Sequence, residues 1–269
     1  MSFLEFWQNL PEMVSPSFSV LGGSIQYYSL AYLFGFLAVY FLGLRSIKKY
    51  SLKIKRKDFE NLCTNGFLMA ILGGRVFYVL FYNLSYFIER PLEIIWPFNE
   101  LGNFVGISGM SFHGGFIFAF LYLLFALKKF DIRYRDFQKA LVPQIPIAIF
   151  FGRIANFLNG ELYGRVTESK IGMYFNGVLR HPSQLYEAFL EGVVLFLILN
   201  FLKKTSQSKF LGAYLAGFYI LFRIFVEFFR EPDVQLGLFW GFSMGQILST
   251  LMIIIIFVYL KVINKKIDS

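Results

Sequence analysis

Seven apolar stretches dominate the chain, near residues 26–44, 64–86, 112–127, 141–158, 184–202, 211–230 and 242–262. Crossing a hydrocarbon core of about 30 Å takes about 20 helical residues, so each stretch is read as a membrane span. The third is the shortest. The fourth opens with Pro143 and Pro146, whose missing backbone donors predict irregular first turns. The pattern therefore predicts an all-α integral membrane protein with about seven transmembrane helices. It forms a single polytopic membrane domain over residues 1–269, with a polar outer-side segment around 159–183.

Composition agrees. Hydrophobic residues make up 57% of the 269 and charged ones 16%, where soluble domains carry roughly 25% charged residues. The net charge of +9 could suggest a nucleic acid or another acidic partner, but the basic residues lie elsewhere than that requires. Arg45, Lys48, Lys49, Lys53, Lys55, Arg56 and Lys57 follow the first span, and Lys128, Lys129, Arg133, Arg135 and Lys139 follow the third. Lys203, Lys204 and Lys209 follow the fifth, and Lys261, Lys265 and Lys266 end the chain. If seven spans alternate, all of these share one side, which then carries +13 against −4 elsewhere. The positive-inside rule places that side in the cytoplasm and the N-terminus outside. Its basic face sets topology and meets anionic headgroups, and no nucleic-acid partner is expected.

Other chemistries are excluded. One cysteine, Cys63, allows no internal disulfide, and His113 and His181 with it make no zinc-ligand spacing, so no metal is expected. Nucleotide-binding glycine loops and the nucleophile elbow of esterases are absent. Met1 to Ser19 holds Glu5 and Glu12 and no basic residue, unlike a cleavable signal peptide.

The remaining basic residues are informative because a charge at mid-bilayer costs at least about 2.5 kcal/mol and implies a partner or a function. In the sixth span Tyr219, Arg223, Glu227 and Arg230 share one helix face, with Arg223 about 18 Å up from the cytoplasmic end. The fourth span carries Arg153 and Asn156 on one face, followed by Asn159, Glu161 and Arg165. His113 with Gly114 and Gly115 stands at the outer mouth of the third span, and Tyr28 begins the first. The fifth starts at His181, with Glu187 and Glu191 one and two turns in. Arg75, after Gly73 and Gly74 in mid-span, is the exception in depth. For Glu187, Glu191, Arg75 and Arg230 the plain alternative is arginine–glutamate pairs that lock helices together. Arg153 and Arg223, on separate helices at similar depth, repel unless they share an anion. Guanidinium forks suit phosphate, and a membrane's commonest phosphate is a phospholipid headgroup. His113 is suited to proton transfer near neutral pH, or to helix capping and packing.

These residues stand in segments with a resemblance. Gly152 to Gly164 (GRIANFLNGELYG) resembles the GRxGNFxNxExxG signature of bacterial prolipoprotein diacylglyceryl transferases, with Ala155 where the pattern has glycine. Gly109 to Gly115 (GMSFHGG), Arg180 to Glu187 (RHPSQLYE), Arg223 to Asp233 (RIFVEFFREPD) and Gly73-Gly74-Arg75 with Tyr78 resemble further family segments in order. The resemblance implies transfer of the sn-1,2-diacylglyceryl group of phosphatidylglycerol onto the lipobox cysteine of a prolipoprotein signal peptide, in the bacterial cytoplasmic membrane, without a cofactor. It implies that Arg153 and Arg223 are essential, with Tyr28, His113, Asn156, Glu161, Gly164, Tyr219 and Glu227 supporting them. Arg75, His181, Glu187 and Arg230 enter as further supporting candidates. In this reading His113 takes the thiol proton, the two arginines hold the phosphate, Glu227 and Glu161 orient the arginines, and Tyr28 and Asn156 bond the headgroup. A transporter would show inverted repeats and polar residues at the midplane, and neither pattern is seen.

Overall fold

The computed structural model describes residues 2–20, 23–96, 109–231, 238–239 and 242–243. All but the first two residues of the stretch at 242–262 lie outside these. Among the described residues, five helical stretches are long and apolar enough to cross a membrane: Tyr27–Lys49, Arg56–Tyr82, Tyr134–Leu158, Ser183–Leu202 and Ser206–Glu227. The expected third span is an 18-residue helix, Phe112–Lys129. Several helices overrun their apolar stretch into lysine and arginine, good helix formers whose long stems lie along apolar surface while the charge reaches water. The chain groups into two compact units, residues 1–50 with 138–269 and residues 51–137.

The first unit begins with helix α1 (Phe3–Met13), started by a reciprocal cap. The Ser2 N–H donates to the Glu5 carboxylate at 2.7 Å, and the Glu5 N–H donates to Ser2 Oγ at 3.2 Å. Strands β1 (Ser17–Val20) and β2 (Gly23–Gln26) pair antiparallel and lead into α2 (Tyr27–Lys49). In the second unit, α3 (Arg56–Tyr82), the short α4 (Leu84–Glu89) and α5 (Phe112–Lys129) follow.

Helix α6 (Tyr134–Ala140) then meets the proline-induced irregularity: a 3-10 turn at Val142–Gln144 precedes α7 (Ile145–Leu158). The polar segment after α7 holds a hairpin that the helical reading did not foresee, β3 (Met173–Phe175) with β4 (Val178–Arg180). Its turn is Asn176-Gly177, both at positive φ (53° and 74°), the two residue types that tolerate such a tight turn. The fifth span is α8 (Ser183–Glu187), a π-helical stretch over Ala188–Val194, and α9 (Leu195–Leu202). Helix α10 (Leu211–Glu227) follows, and β5 (Leu238–Phe239) pairs with β6 (Phe242–Ser243).

Helix α1 covers the β3–β4 hairpin. Trp7 and Leu10 pack on the buried trio Phe157, Met173 and Phe175, and Trp7 Nε1 donates to the Ile171 carbonyl at 3.2 Å. The Gly177 N–H donates to Glu12 Oε1 at 2.7 Å. The N-terminal helix and the segment after α7 therefore share one end of the unit. At another place the ends of α2 and α9 meet the end of α6. Ser46 Oγ donates to the Lys139 carbonyl at 2.8 Å, and Lys203 Nζ donates to Ser46 Oγ at 3.4 Å. The Tyr50 ring lies within 6.0 Å of the ammoniums of Lys49, Lys139 and Lys203, three residues that the charge pattern had placed on one side.

In the second unit α3 and α5 touch through glycine. A Cβ on Gly73 would stand 2.3 Å from the Gly114 carbonyl oxygen, and one on Gly114 would stand 2.3 Å from that of Gly73. Without side chains the two backbones approach closely, the usual device for packing apolar helices in lipid. Ser111 fixes the start of α5 there: its N–H donates to the Gly74 carbonyl at 2.9 Å, and its hydroxyl accepts from the Gly114 N–H.

Candidate functional site: an arginine–glutamate cluster

Helix α7 places Arg153 and Asn156 on one face, and α10 places Tyr219, Arg223 and Glu227 on another. The fifth span brings Glu187 at the end of α8 and Glu191 in its π-helical part. Glu187 and Glu191 are fully enclosed, at 0% exposure. Arg153 meets Glu187 Oε2 at 3.2 Å and Glu191 Oε2 at 3.3 Å. Arg223 pairs with Glu187 Oε1 and reaches Glu227 Oε2 at 3.6 Å. Arg230 also reaches Glu187 Oε1, at 3.3 Å. The repulsion between Arg153 and Arg223 demanded a shared anion. The structure supplies one from the chain itself, the Glu187 carboxylate.

Three guanidiniums thus face three carboxylates across α7, the fifth span and α10. Burying ions is costly, and the cost is offset only when charges are matched at short range. This cluster meets that condition. Glu187, Glu191 and Arg230, given a helix-locking alternative from sequence, do join the helices. The side chains of Arg153 and Arg223 keep 16% of their surface, so neither is fully enclosed.

A second polar group adjoins Arg153 along α7. The Asn156 amide donates to Glu161 Oε1 at 2.8 Å and to the Tyr28 hydroxyl. Glu161 was expected to orient an arginine; its carboxylate accepts from Asn156 instead. The backbone around it is held by the fifth span: Gln184 Nε2 donates to the Glu161 carbonyl at 2.7 Å, and Ser183 Oγ to that of Leu162 at 3.1 Å. Glu227 stands beside Arg223 as expected. Tyr219 lies one turn before Arg223 on α10, half-buried. Ala155, where the family pattern has glycine, is buried at 1% exposure, so its methyl is accommodated.

Gly164 has a backbone role. Its N–H donates to the His181 carbonyl at 2.8 Å, and a Cβ there would stand 2.4 Å from the Phe229 carbonyl oxygen. The bridge it forms with Arg230 ties the segment after α7 to the end of α10. His181 pairs its Nδ1 with the Tyr186 hydroxyl at 3.1 Å and packs against Phe229, and burial lowers its pKa from the usual 6.5. Two contacts nearby were not anticipated: Arg180 pairs with Glu231 at 3.0 Å, and Arg165 Nε donates to the Arg230 carbonyl at 2.9 Å. No periodicity signals them, because the partners come from separate segments, one after α7 and one after α10.

The remaining candidates belong to the second unit. Arg75 donates to three backbone carbonyls, those of Ile94 (2.8 Å), Gly109 (3.2 Å) and Glu93 (2.6 Å), and its guanidinium lies 4.8 Å from the centre of the Phe87 ring. It organises the loop beyond α4. His113 is exposed in the first turn of α5, next to Gly114, which faces α3.

Residues 16–262 match the family model described as prolipoprotein diacylglyceryl transferase. The chain is 42% identical to the phosphatidylglycerol–prolipoprotein diacylglyceryl transferase of Chlorobaculum tepidum, over 93% of this chain and 90% of that protein. It is 40% identical to the protein of the same name from Campylobacter jejuni, over 98% of this chain and all of that protein. With the one from Rickettsia bellii it shares 43% identity over 86% and 88% of the two chains. The match spans α2 through α10, including every residue of the cluster, and the chain belongs to the prolipoprotein diacylglyceryl transferase family.

Proposed function

We propose that this chain transfers the sn-1,2-diacylglyceryl group of phosphatidylglycerol to the lipobox cysteine of a prolipoprotein, the first step of lipoprotein maturation. The thiol sulfur attacks the glyceryl carbon bearing the phosphate, a C–S thioether forms, the C–O bond breaks, and glycerol phosphate leaves. The observation that carries the reading is the pair Arg153 and Arg223, brought from two helices onto one buried carboxylate, with neither side chain fully enclosed. Donors fixed in place before the reaction stabilise charge as it develops on the leaving phosphate. Tyr28 and Asn156, joined to Glu161, bond the headgroup. Tyr219 and Glu227 flank Arg223.

A thiol at its ordinary pKa of about 8.5 needs a proton acceptor. His113 is that acceptor in this reading, and Glu161 is the alternative. The chain itself needs no metal or cofactor for this, since lipid and peptide bring the reacting atoms.

The reading places the chain in the bacterial cytoplasmic membrane as a single polytopic domain of seven spans, N-terminus outside, site toward the outer leaflet. The contact of α1 with the β3–β4 hairpin supports the alternation. It requires an even number of crossings between the N-terminal helix and the segment after α7, and α5 makes the fourth beside α2, α3 and Tyr134–Leu158.

The test is the purified chain with phosphatidylglycerol and a lipobox peptide. A thioether-linked diacylglyceryl peptide is expected, and no such product would refute the reading. His113→Asn is expected to lower turnover more than lipid binding; a full-rate variant moves the base to Glu161.

A further inference from the structure

Among the described residues the cluster is balanced, with Arg153, Arg223 and Arg230 against Glu187, Glu191 and Glu227. A phosphodiester headgroup brings one more negative charge into surroundings of low dielectric. Uncompensated charge there is costly, and ionisable groups respond by changing protonation. The geometry decides which carboxylate responds.

Glu187 faces guanidiniums with both oxygens and keeps Arg230 even when a phosphate engages Arg153 and Arg223. Glu227 shares α10 with its partner Arg223 and is 7% exposed. Glu191 is enclosed at 0% exposure. Its Oε2 meets Arg153 at 3.3 Å, but Glu187 claims the same guanidinium at 3.2 Å. Glu187 Oε2, Glu227 Oε2 and Glu191 Oε1 all lack a hydrogen bond. Guanidiniums lie within 3.6 Å of the first two, but no ion pair among the described residues reaches Glu191 Oε1. The charged and titratable groups facing it are Arg153 on α7, Glu187 on its own span, and Arg223 and Tyr219 on α10. It also sits in the π-helical part of the span, a conformation that is rare and concentrated at functional sites.

We propose that Glu191 takes up a proton when a phosphodiester headgroup binds, so that Arg153 turns from Glu191 to the phosphate. Glu191 is a positioning residue acting through Arg153. The proton comes from solvent and rests on the Glu191 carboxyl, and no bond of the lipid changes in this step. The inference rests on the phosphate reading of Arg153 and Arg223 above.

The experiment is calorimetric titration of the full chain in detergent with short-chain phosphatidylglycerol, over a pH series and in buffers of different ionisation heat. The buffer dependence counts protons taken up per lipid bound. Wild type is expected to take up about one proton at the most favourable pH, and its affinity to fall by up to about tenfold per pH unit above that. Glu191→Gln, which mimics the protonated form, is expected to take up none and to keep its affinity at high pH. Wild-type binding without proton exchange overturns the proposal whether or not any variant folds. So does uptake that persists in Glu191→Gln, and that outcome leaves the phosphate site standing. No binding to wild type at all overturns the phosphate reading itself.

Discussion

Arg75 in α3 and Arg153 in α7 both interrupt apolar helices, and the molecule satisfies them by different means. Among the described residues, Arg75 is held by dipoles: three backbone carbonyls and an aromatic face lie at its guanidinium. Arg153 is held by charges, the carboxylates of Glu187 and Glu191. Carbonyls use up the donors of a guanidinium and fix a loop. Carboxylates on neighbouring helices gather several guanidiniums in one place. An arginine at membrane depth therefore signals a constraint, and the kind of partner tells whether that constraint is a joint or a site.

The largest effect that could break this comparison is at Glu187. Glu187→Gln leaves three guanidiniums facing two carboxylates in a buried place. Removing one partner of a buried ion network costs about 3–5 kcal/mol, so a marked loss of thermal stability in detergent is expected together with loss of turnover. A variant as stable and active as wild type would show that the cluster is not held by charge. Next comes Arg223→Lys, which keeps the charge and loses the planar fork. Turnover is expected to fall about 10²-fold, the scale of losing one preorganised donor to a developing oxyanion, with a smaller change in stability. Wild-type turnover would remove the bidentate phosphate contact from the mechanism.

Much of this was legible in the sequence because membrane spans and helix faces follow simple periods. The stripe Tyr219, Arg223, Glu227 could be read from spacing, as could the proline-disturbed start of α7 and the gathering of lysines now seen around Tyr50. The identity of the anion between Arg153 and Arg223 could not. Glu187 lies on a third helix, and no period connects residues of separate helices. The β3–β4 hairpin left a local signal, Asn176-Gly177, that a helical reading passes over. The Gly73–Gly114 contact was present as two glycine motifs, but only packing shows that they face each other. That contact also gives Gly114 a reason to be glycine that is independent of its neighbour His113.

Arg75→Lys sharpens the other half of the comparison. Lysine keeps the charge but cannot reach three carbonyls in the geometry of a guanidinium, and each hydrogen bond lost with a buried carbonyl left behind costs about 1–3 kcal/mol. The unfolding temperature is expected to drop while turnover per folded molecule is retained. Loss of turnover at unchanged stability would make Arg75 part of the site and erase the distinction between the two arginines.

The smallest effect tests a third kind of cation, one with neither carboxylate nor full hydration. Lys203 is buried at 5% exposure, and Nζ donates to Asn200 Oδ1 at 2.7 Å and to Ser46 Oγ at 3.4 Å. Burial, with Lys49 and Lys204 nearby, pushes its pKa down to about 8 from 10.5. Between those two values the unfolded chain binds a proton that the folded chain does not, so stability rises with pH across that window and is level below it. Solvent screening keeps the effect on the order of 1 kcal/mol. Unfolding temperatures of wild type and Lys203→Met, measured side by side across the window, should diverge, with wild type gaining relative to the variant as pH rises. Parallel curves would mean that Lys203 stays charged. It would then be a charge held by neutral oxygens and an aromatic ring.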